Sequence, residues 1–131
     1  MKKEEVVSWI AQIVTAIILG QTLFFKFSAA PESIYIFETL GMEPFGRLAT
    51  GVAELVAVVL FLIPRLAGLG GLLTMGILSG AILSHLTILG IEVQGDGGLL
   101  FALAVIAFIG GAVVAFIRRA SIPVIGERFF S

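Results

Sequence analysis

Gly98 to Ile117 reads GLLFALAVIAFIGGAVVAFI, with no charge and no hydroxyl. A membrane helix needs about 20 mostly apolar residues to cross a hydrocarbon core of roughly 30 Å. This stretch meets that length with nothing polar to spoil it, so it is predicted to be a span. Three more segments qualify towards the N-terminus. Leu66 to Ile91 is long enough to tilt, Arg47 to Ile63 lies at the short end of the range, and Val6 to Phe25 reads VVSWIAQIVTAIILGQTLFF. A cleaved signal peptide is the competing reading of the first span, because Ser28-Ala29-Ala30 faintly resembles a cleavage site. It fails because the apolar stretch is too long and Lys26 stands between it and the small residues.

Composition agrees. Of 131 residues, 59% are hydrophobic and 13% charged, against roughly 25% charged in an ordinary soluble domain. The mean hydropathy is +1.15. A soluble domain this small keeps most residues near its surface, and eight basic and nine acidic side chains cannot coat it. The net charge of −1 and an isoelectric point near 5.7 argue against nucleic acid as a partner, which calls for a basic patch. The absence of cysteine excludes disulfides, iron–sulfur sites, thiolate zinc sites and a cysteine nucleophile. A single histidine excludes a multi-histidine metal site within one chain, and no metal or haem motif is present. The prediction is all-α: one transmembrane domain over residues 1–131, a four-helix bundle in up-down order in the lipid bilayer, with spans at about 6–25, 47–63, 66–91 and 98–117.

Pro64-Arg65 makes a tight turn, and Glu92 to Gly97 joins the last two spans with Asp96 placed to cap the fourth helix. Phe27 to Gly46 is too long for a structureless loop. It is predicted to hold a short interfacial helix, with Pro31 at the first position and Gly41 at the stop. Ile34, Phe37 and Leu40 recur there at helical spacing, while Glu32, Ser33, Glu38 and Thr39 are polar. Lys2, Lys3, Arg65, Arg118, Arg119 and Arg128 fall on one side and only Lys26 and Arg47 on the other. The positive-inside rule then puts both termini in the cytoplasm, in a multi-pass protein of the cell's inner (plasma) membrane.

Ionisable residues within spans are costly, so each is a functional hypothesis. Glu54 is about 10 Å below the outer boundary and His85 roughly 9 Å, at 1.5 Å per residue; Lys26 ends the first span at the same boundary. Ser8, Gln12, Thr15, Thr22 and Lys26 share one helical stripe. So do Arg47, Thr50/Gly51, Glu54, Ala57 and Phe61, and likewise Gly71, Thr74, Leu78, Ala81 and His85. Such polar and small faces should turn into the bundle, since lipid cannot satisfy their hydrogen bonds. The plainer readings stay open. Glu54 paired with Lys26 or His85 is also a registration device, and His85 is also readable as a satisfied structural histidine. Gln12 and Gln21 read as interhelical hydrogen-bond partners. Gly76-x-x-x-Gly80, continued by Ser84 and Thr87, reads as a close-packing face, and Trp9 as an interface anchor.

Gly20-x5-Lys26, Leu40-Gly41-Met42-Glu43-Pro44, Gly51-x-x-Glu54-Leu55, Leu62-Ile63-Pro64-Arg65, His85 and Gln94-Gly95-Asp96-Gly97-Gly98 follow one another in an order and spacing that resembles the DoxX family of small four-helix membrane proteins. The motifs are short, and the similarity runs over about the whole chain, most clearly from Phe24 to Phe116. The family is similar to quinone-linked subunits of thiosulfate:quinone oxidoreductase and of terminal oxidase complexes, and its eukaryotic branches act as membrane chaperones. The resemblance therefore implies the fold more firmly than an activity.

Three functions compete. In a quinone-linked oxidoreductase subunit, Glu54 and His85 would be the catalytic proton donors and acceptors at the headgroup, histidine being able to do either. Lys26, Gln21, Thr22 and Phe101 would contact the ligand, and Phe24, Phe25 and Phe27 would join Phe101 in lining an apolar cleft. Electrons would come from a partner redox subunit or a bound substrate. In a non-enzymatic accessory protein, the helices would assemble or stabilise another membrane complex, and homo-oligomers stay open. A proton or small-solute carrier is the weakest, with one intramembrane acid, no broken helix and no inverted repeat.

Overall fold

A computed structural model describes residues 2–123 and Gly126. Among them there is no strand. Residues 2–123 form five α-helices: α1 (Lys3–Phe27), α2 (Pro31–Thr39), α3 (Phe45–Leu62), α4 (Ala67–Ser84) and α5 (Leu99–Ile117). A 3₁₀ turn, Pro64–Leu66, leads into α4, and a π turn, His85–Leu89, extends it. The four long helices are each long and apolar enough to cross a membrane: the chain is an all-α, multi-pass membrane protein. Helix α1 overruns the predicted span at both ends, and α4 with its π turn stops two residues short of Ile91. Of the basic residues counted for orientation, Arg128 lies outside the described residues.

The helices close a ring in which α1 packs on α3 and α5, and α4 packs on the same two. Consecutive long helices run antiparallel, joined by short connections after α3 and α4 and by the segment holding α2 between α1 and α3. The interhelical bonds agree: Arg47 near the start of α3 reaches the Lys26 carbonyl near the end of α1, and Arg118 after α5 reaches Ser8 near the start of α1. Leu19 from α1, Ala57 and Phe61 from α3, Leu78 from α4, and Ala107 and Val114 from α5 fill the core. All three predicted stripes face inward. Ser8, Gln12, Thr15, Arg47, Gly51, Glu54, Ala57, Phe61, Gly71, Thr74, Leu78 and His85 are buried, with Thr22, Lys26 and Ala81 half-buried.

The close seam between α4 and α5 is not the one predicted. A Cβ at Gly71 would collide with the Gly111 carbonyl oxygen, so the absence of side chains there sets how closely the backbones approach. Gly76 and Gly80 have nothing within 4 Å of where a Cβ would stand. Their face points away from the bundle. The hydroxyls of Ser79, Ser84 and Thr87 donate back to their own helix, to Met75, Gly80 and Leu83 carbonyls. Helix α4 is apolar all round, so its small-residue spacing could not say which face meets a neighbour.

Helix α2 starts at Pro31 and stops in a Schellman arrangement. Gly41 takes φ +72°, its N–H donates to the Glu38 carbonyl and the Met42 N–H to that of Phe37. Phe37 is buried, and Glu32, Glu38 and Thr39 are exposed as predicted. Ser33, expected on the polar face, is buried instead. The helix lies across the end of the bundle, against α1, α3 and the π turn.

Candidate functional site

Thr22 and Lys26 lie one turn apart on α1, and Glu54 faces them from α3. The Lys26 Nζ is 2.7 Å from Glu54 Oε1, and the Thr22 hydroxyl donates to Glu54 Oε2, with the Leu19 carbonyl 3.0 Å away. Glu54 is 3% exposed. A buried carboxylate is tolerated when an opposite charge and hydrogen bonds replace its water: Oε2 has the hydrogen bond from Thr22, and Oε1 has the Lys26 charge without a well-aligned hydrogen bond. A second pair sits above it. Arg47, 7% exposed, donates from Nε to Glu43 Oε1 and Oε2 at 2.9 and 3.0 Å, its Nη2 is 2.9 Å from Glu43 Oε1, and its Nη1 donates to the Lys26 carbonyl. The guanidinium thus adds a strong donor to a carbonyl near the end of α1 that, among the described residues, otherwise accepts only a long bond from the Ala29 N–H, at 3.4 Å. The sequence put Arg47 on an inward stripe but gave it no partner. The signal that could have found it is the acid four residues earlier.

His85 does not join this cluster. Among the described residues no hydrogen bond or ion pair links it to Glu54. Its Nδ1 lies 2.9 Å from the Gly90 carbonyl oxygen, and the Gly90 N–H donates back to the His85 carbonyl at 2.8 Å, closing the π turn. A carbonyl oxygen can only accept, so Nδ1 carries a proton. In the neutral ring Nε2 is then an acceptor, and it has no protein partner among the described residues. Gly90 takes φ +81°, a conformation glycine adopts without a Cβ clash. Phe101, from the first turn of α5, meets the imidazole edge-on at a centroid distance of 5.4 Å.

Asp96 lies in the loop beyond. Its Oδ1 accepts from the Val93 and Gly98 N–H groups at 3.0 and 2.8 Å, and its Oδ2 from Leu100 at 3.1 Å. Partial burial pushes the carboxyl pKa upward. The three N–H donors, with a smaller electrostatic pull from His85, outweigh it and hold the carboxyl below its usual range. Asp96 therefore caps α5, as its spacing predicted.

The remaining candidates disperse. Gln21 is exposed and makes no interhelical bond, because one residue's turn carries it off the stripe shared by Thr22 and Lys26. Gln12 does make one, from its Nε2 to the Phe61 carbonyl at 2.7 Å. Phe24 and Phe25 stack edge-on with each other on the exposed surface, so they line no cleft with Phe101. The Phe27 ring packs over Gly51, where a Cβ would come within 2.8 Å. No group of three His, Asp or Glu side chains is placed for a metal ion among the described residues.

The opposite end holds a second polar cluster. Arg118 Nε donates to Ser8 Oγ and Gln12 Oε1, each at 2.8 Å, and Ser8 donates to Gln12 Oε1 at 2.7 Å. Trp9 stands 5.7 Å from the guanidinium. Neither terminal nitrogen of Arg118 has a hydrogen-bond partner among the described residues, and Nη2 is buried. Beside it is a hollow of about 260 Å³. An apolar groove of about 410 Å³ runs along α5 from Phe108 to Ile117. Neither is lined by Glu54 or His85.

No family model, curated protein or solved structure matches the chain.

Proposed function

We propose that the chain is a DoxX-like, quinone-linked oxidoreductase subunit of the inner (plasma) membrane, with both termini cytoplasmic. The observation that carries this reading is His85, whose Nδ1 is fixed by the Gly90 carbonyl, leaving Nε2 without a partner among the described residues on a ring that packs edge-on with Phe101. A quinone headgroup asks for that combination at one carbonyl: a group able to accept or donate a proton against an apolar wall. Glu54 does not fit the second carbonyl, since Thr22 and Lys26 occupy both its oxygens. Its part is therefore electrostatic: with Lys26 it holds a balanced charge inside the bundle at the same end. A bound quinone supplies electron-accepting chemistry, taking a proton for each electron. In this role His85, with its Nδ1–H held by Gly90, would take up a proton from water at Nε2 and pass it to one quinone oxygen, and the second proton would come from water. The electrons come from a partner redox subunit, because a chain with no cysteine and one histidine carries no iron–sulfur or bis-histidine haem ligands.

The orientation rests on the same end-to-end contrast. Lys2, Lys3, Arg65, Arg118 and Arg119 lie at one end, while Lys26 and Arg47 at the other are both taken up in ion pairs. A cysteine introduced at Glu38 should react with an impermeant thiol reagent from the outside only; labelling solely from the cytoplasmic side overturns this topology.

Turnover per folded molecule tests the chemistry. His85→Gln should lose about 10²–10⁴-fold in quinone-dependent rate while remaining folded, and wild-type turnover in that variant sinks the reading. A second reading, a non-enzymatic accessory protein of another membrane complex, is favoured by one observation: Glu54 is already compensated and lines neither hollow. On that reading the activity of the parent complex tracks only the amount of folded chain, for His85→Gln and Glu54→Gln alike.

A further inference from the structure

We propose that Arg118 binds a phosphate group, as carried by a phospholipid headgroup, at the end of the bundle where Lys2 and Trp9 lie. The argument begins with unused donors. Of the guanidinium nitrogens only Nε is engaged, in the forked bond to Ser8 and Gln12. Arg47 at the other end has all three nitrogens engaged and a carboxylate to balance its charge. Among the described residues no carboxylate lies within ion-pair distance of Arg118, and its buried Nη2 has no partner. A buried charged donor left unpaired is costly, so the arrangement has a place for an anion that the described residues do not supply.

The guanidinium is also held ready for one. Gln12 is pinned by the Phe61 carbonyl, Ser8 by Gln12, and Nε by both, so the plane of the fork is fixed with its terminal nitrogens free. A planar fork of this kind matches two oxygens of a phosphate. An internal staple between α1 and α5 needs Nε alone, and a cation near the last turn of α5 needs no fixed fork. The adjoining hollow of about 260 Å³ is lined by Lys2 and Arg118, which can donate, by Ser121, whose hydroxyl already donates to the Arg118 carbonyl, by Ile117 and Ala120, and by Glu4 and Glu5. The two acids oppose a highly charged ligand and favour a single phosphate. Arg118 follows the last residue of the apolar α5, and Trp9 is a residue type that settles at the membrane boundary. That is the level at which lipid phosphates lie.

Native mass spectrometry and thermal unfolding of the full chain in detergent, with phosphatidylglycerol, diacylglycerol and inorganic phosphate as probes, test the site. Wild-type protein should retain phosphatidylglycerol and be stabilised by it over diacylglycerol. Arg118→Gln should weaken that retention about tenfold, while Arg65→Gln, an exposed arginine at the same end, should leave it unchanged. Inorganic phosphate that stabilises the protein and displaces the lipid supports the anion site and makes its source soluble; stabilisation by the lipid alone makes the source the membrane. Equal retention of both lipids by wild type, equal retention of phosphatidylglycerol by Arg118→Gln, or an equal loss in Arg65→Gln overturns the proposal. If Arg118→Gln does not fold, the wild-type comparison of the two lipids decides, and no preference for the phosphate overturns it.

Discussion

The two ends of the bundle bury charge in different ways. Where α2 crosses the bundle, each buried cation has its own carboxylate: Lys26 with Glu54, Arg47 with Glu43. At the other end Arg118 rests on a hydroxyl and a carboxamide, with no carboxylate at ion-pair distance among the described residues. The difference lies in what is left when one group is removed. Deleting a member of an ion pair strands an opposite charge in a medium that solvates it poorly. Deleting Arg118 leaves only neutral groups, which still bond to each other.

Glu54→Leu should therefore be the most damaging change, costing about 3–5 kcal/mol because it strands Lys26, with Glu54→Gln costing less; denaturant unfolding in detergent measures both. Arg118→Met should cost about 1.5–3 kcal/mol, the range for hydrogen bonds to a charged group. Equal losses in these two variants break the contrast between the ends.

The seam joining them gives a third measurement. Gly71→Ala drives a methyl into the Gly111 backbone and should cost about 1–3 kcal/mol. Gly76→Ala meets open space and should stay within about 0.5 kcal/mol of wild type. A larger loss at Gly76 would restore the packing role that the sequence spacing suggested.

The smallest effect concerns the cap. Asp96→Ala removes the acceptor for three N–H groups and should cost about 1 kcal/mol near neutral pH. The folded-state pKa of Asp96 is depressed. Its contribution is thus present above the unfolded value, about 3.9, and fades as pH falls through the lower folded value. Unfolding of wild type and Asp96→Ala should converge on acidification; a widening gap rejects the cap.

The spans were legible because length and hydropathy alone decide them, and the inward stripes because helical periodicity does: Arg47, Gly51, Glu54, Ala57 and Phe61 are all buried. Depth along an axis was legible too, which brought Lys26 to Glu54. Which inward-facing groups meet one another was not. His85 and Glu54 were predicted at similar depth, yet a π turn without a compositional signature ties His85 to Gly90 instead. Gln21 and Thr22 are adjacent in the chain but differ by about 100° around α1, enough to separate an exposed side chain from one bonded to Glu54. Arg118 read as a topological charge because its partners lie more than a hundred residues away.

The π turn also governs where the chain tolerates a change in length. It holds one residue more than an α turn between bonded groups, so it is a place where a single residue has been taken up locally. A deletion within Thr87 to Leu89 can close the turn as ordinary helix and leave Gly71 against Gly111. The same deletion at Leu72 would turn every residue from Leu73 to His85 by about 100° relative to Gly71. Thr74 would leave the seam and the imidazole would leave Phe101. Among relatives of this chain, insertions and deletions in this helix should therefore gather at its final turn.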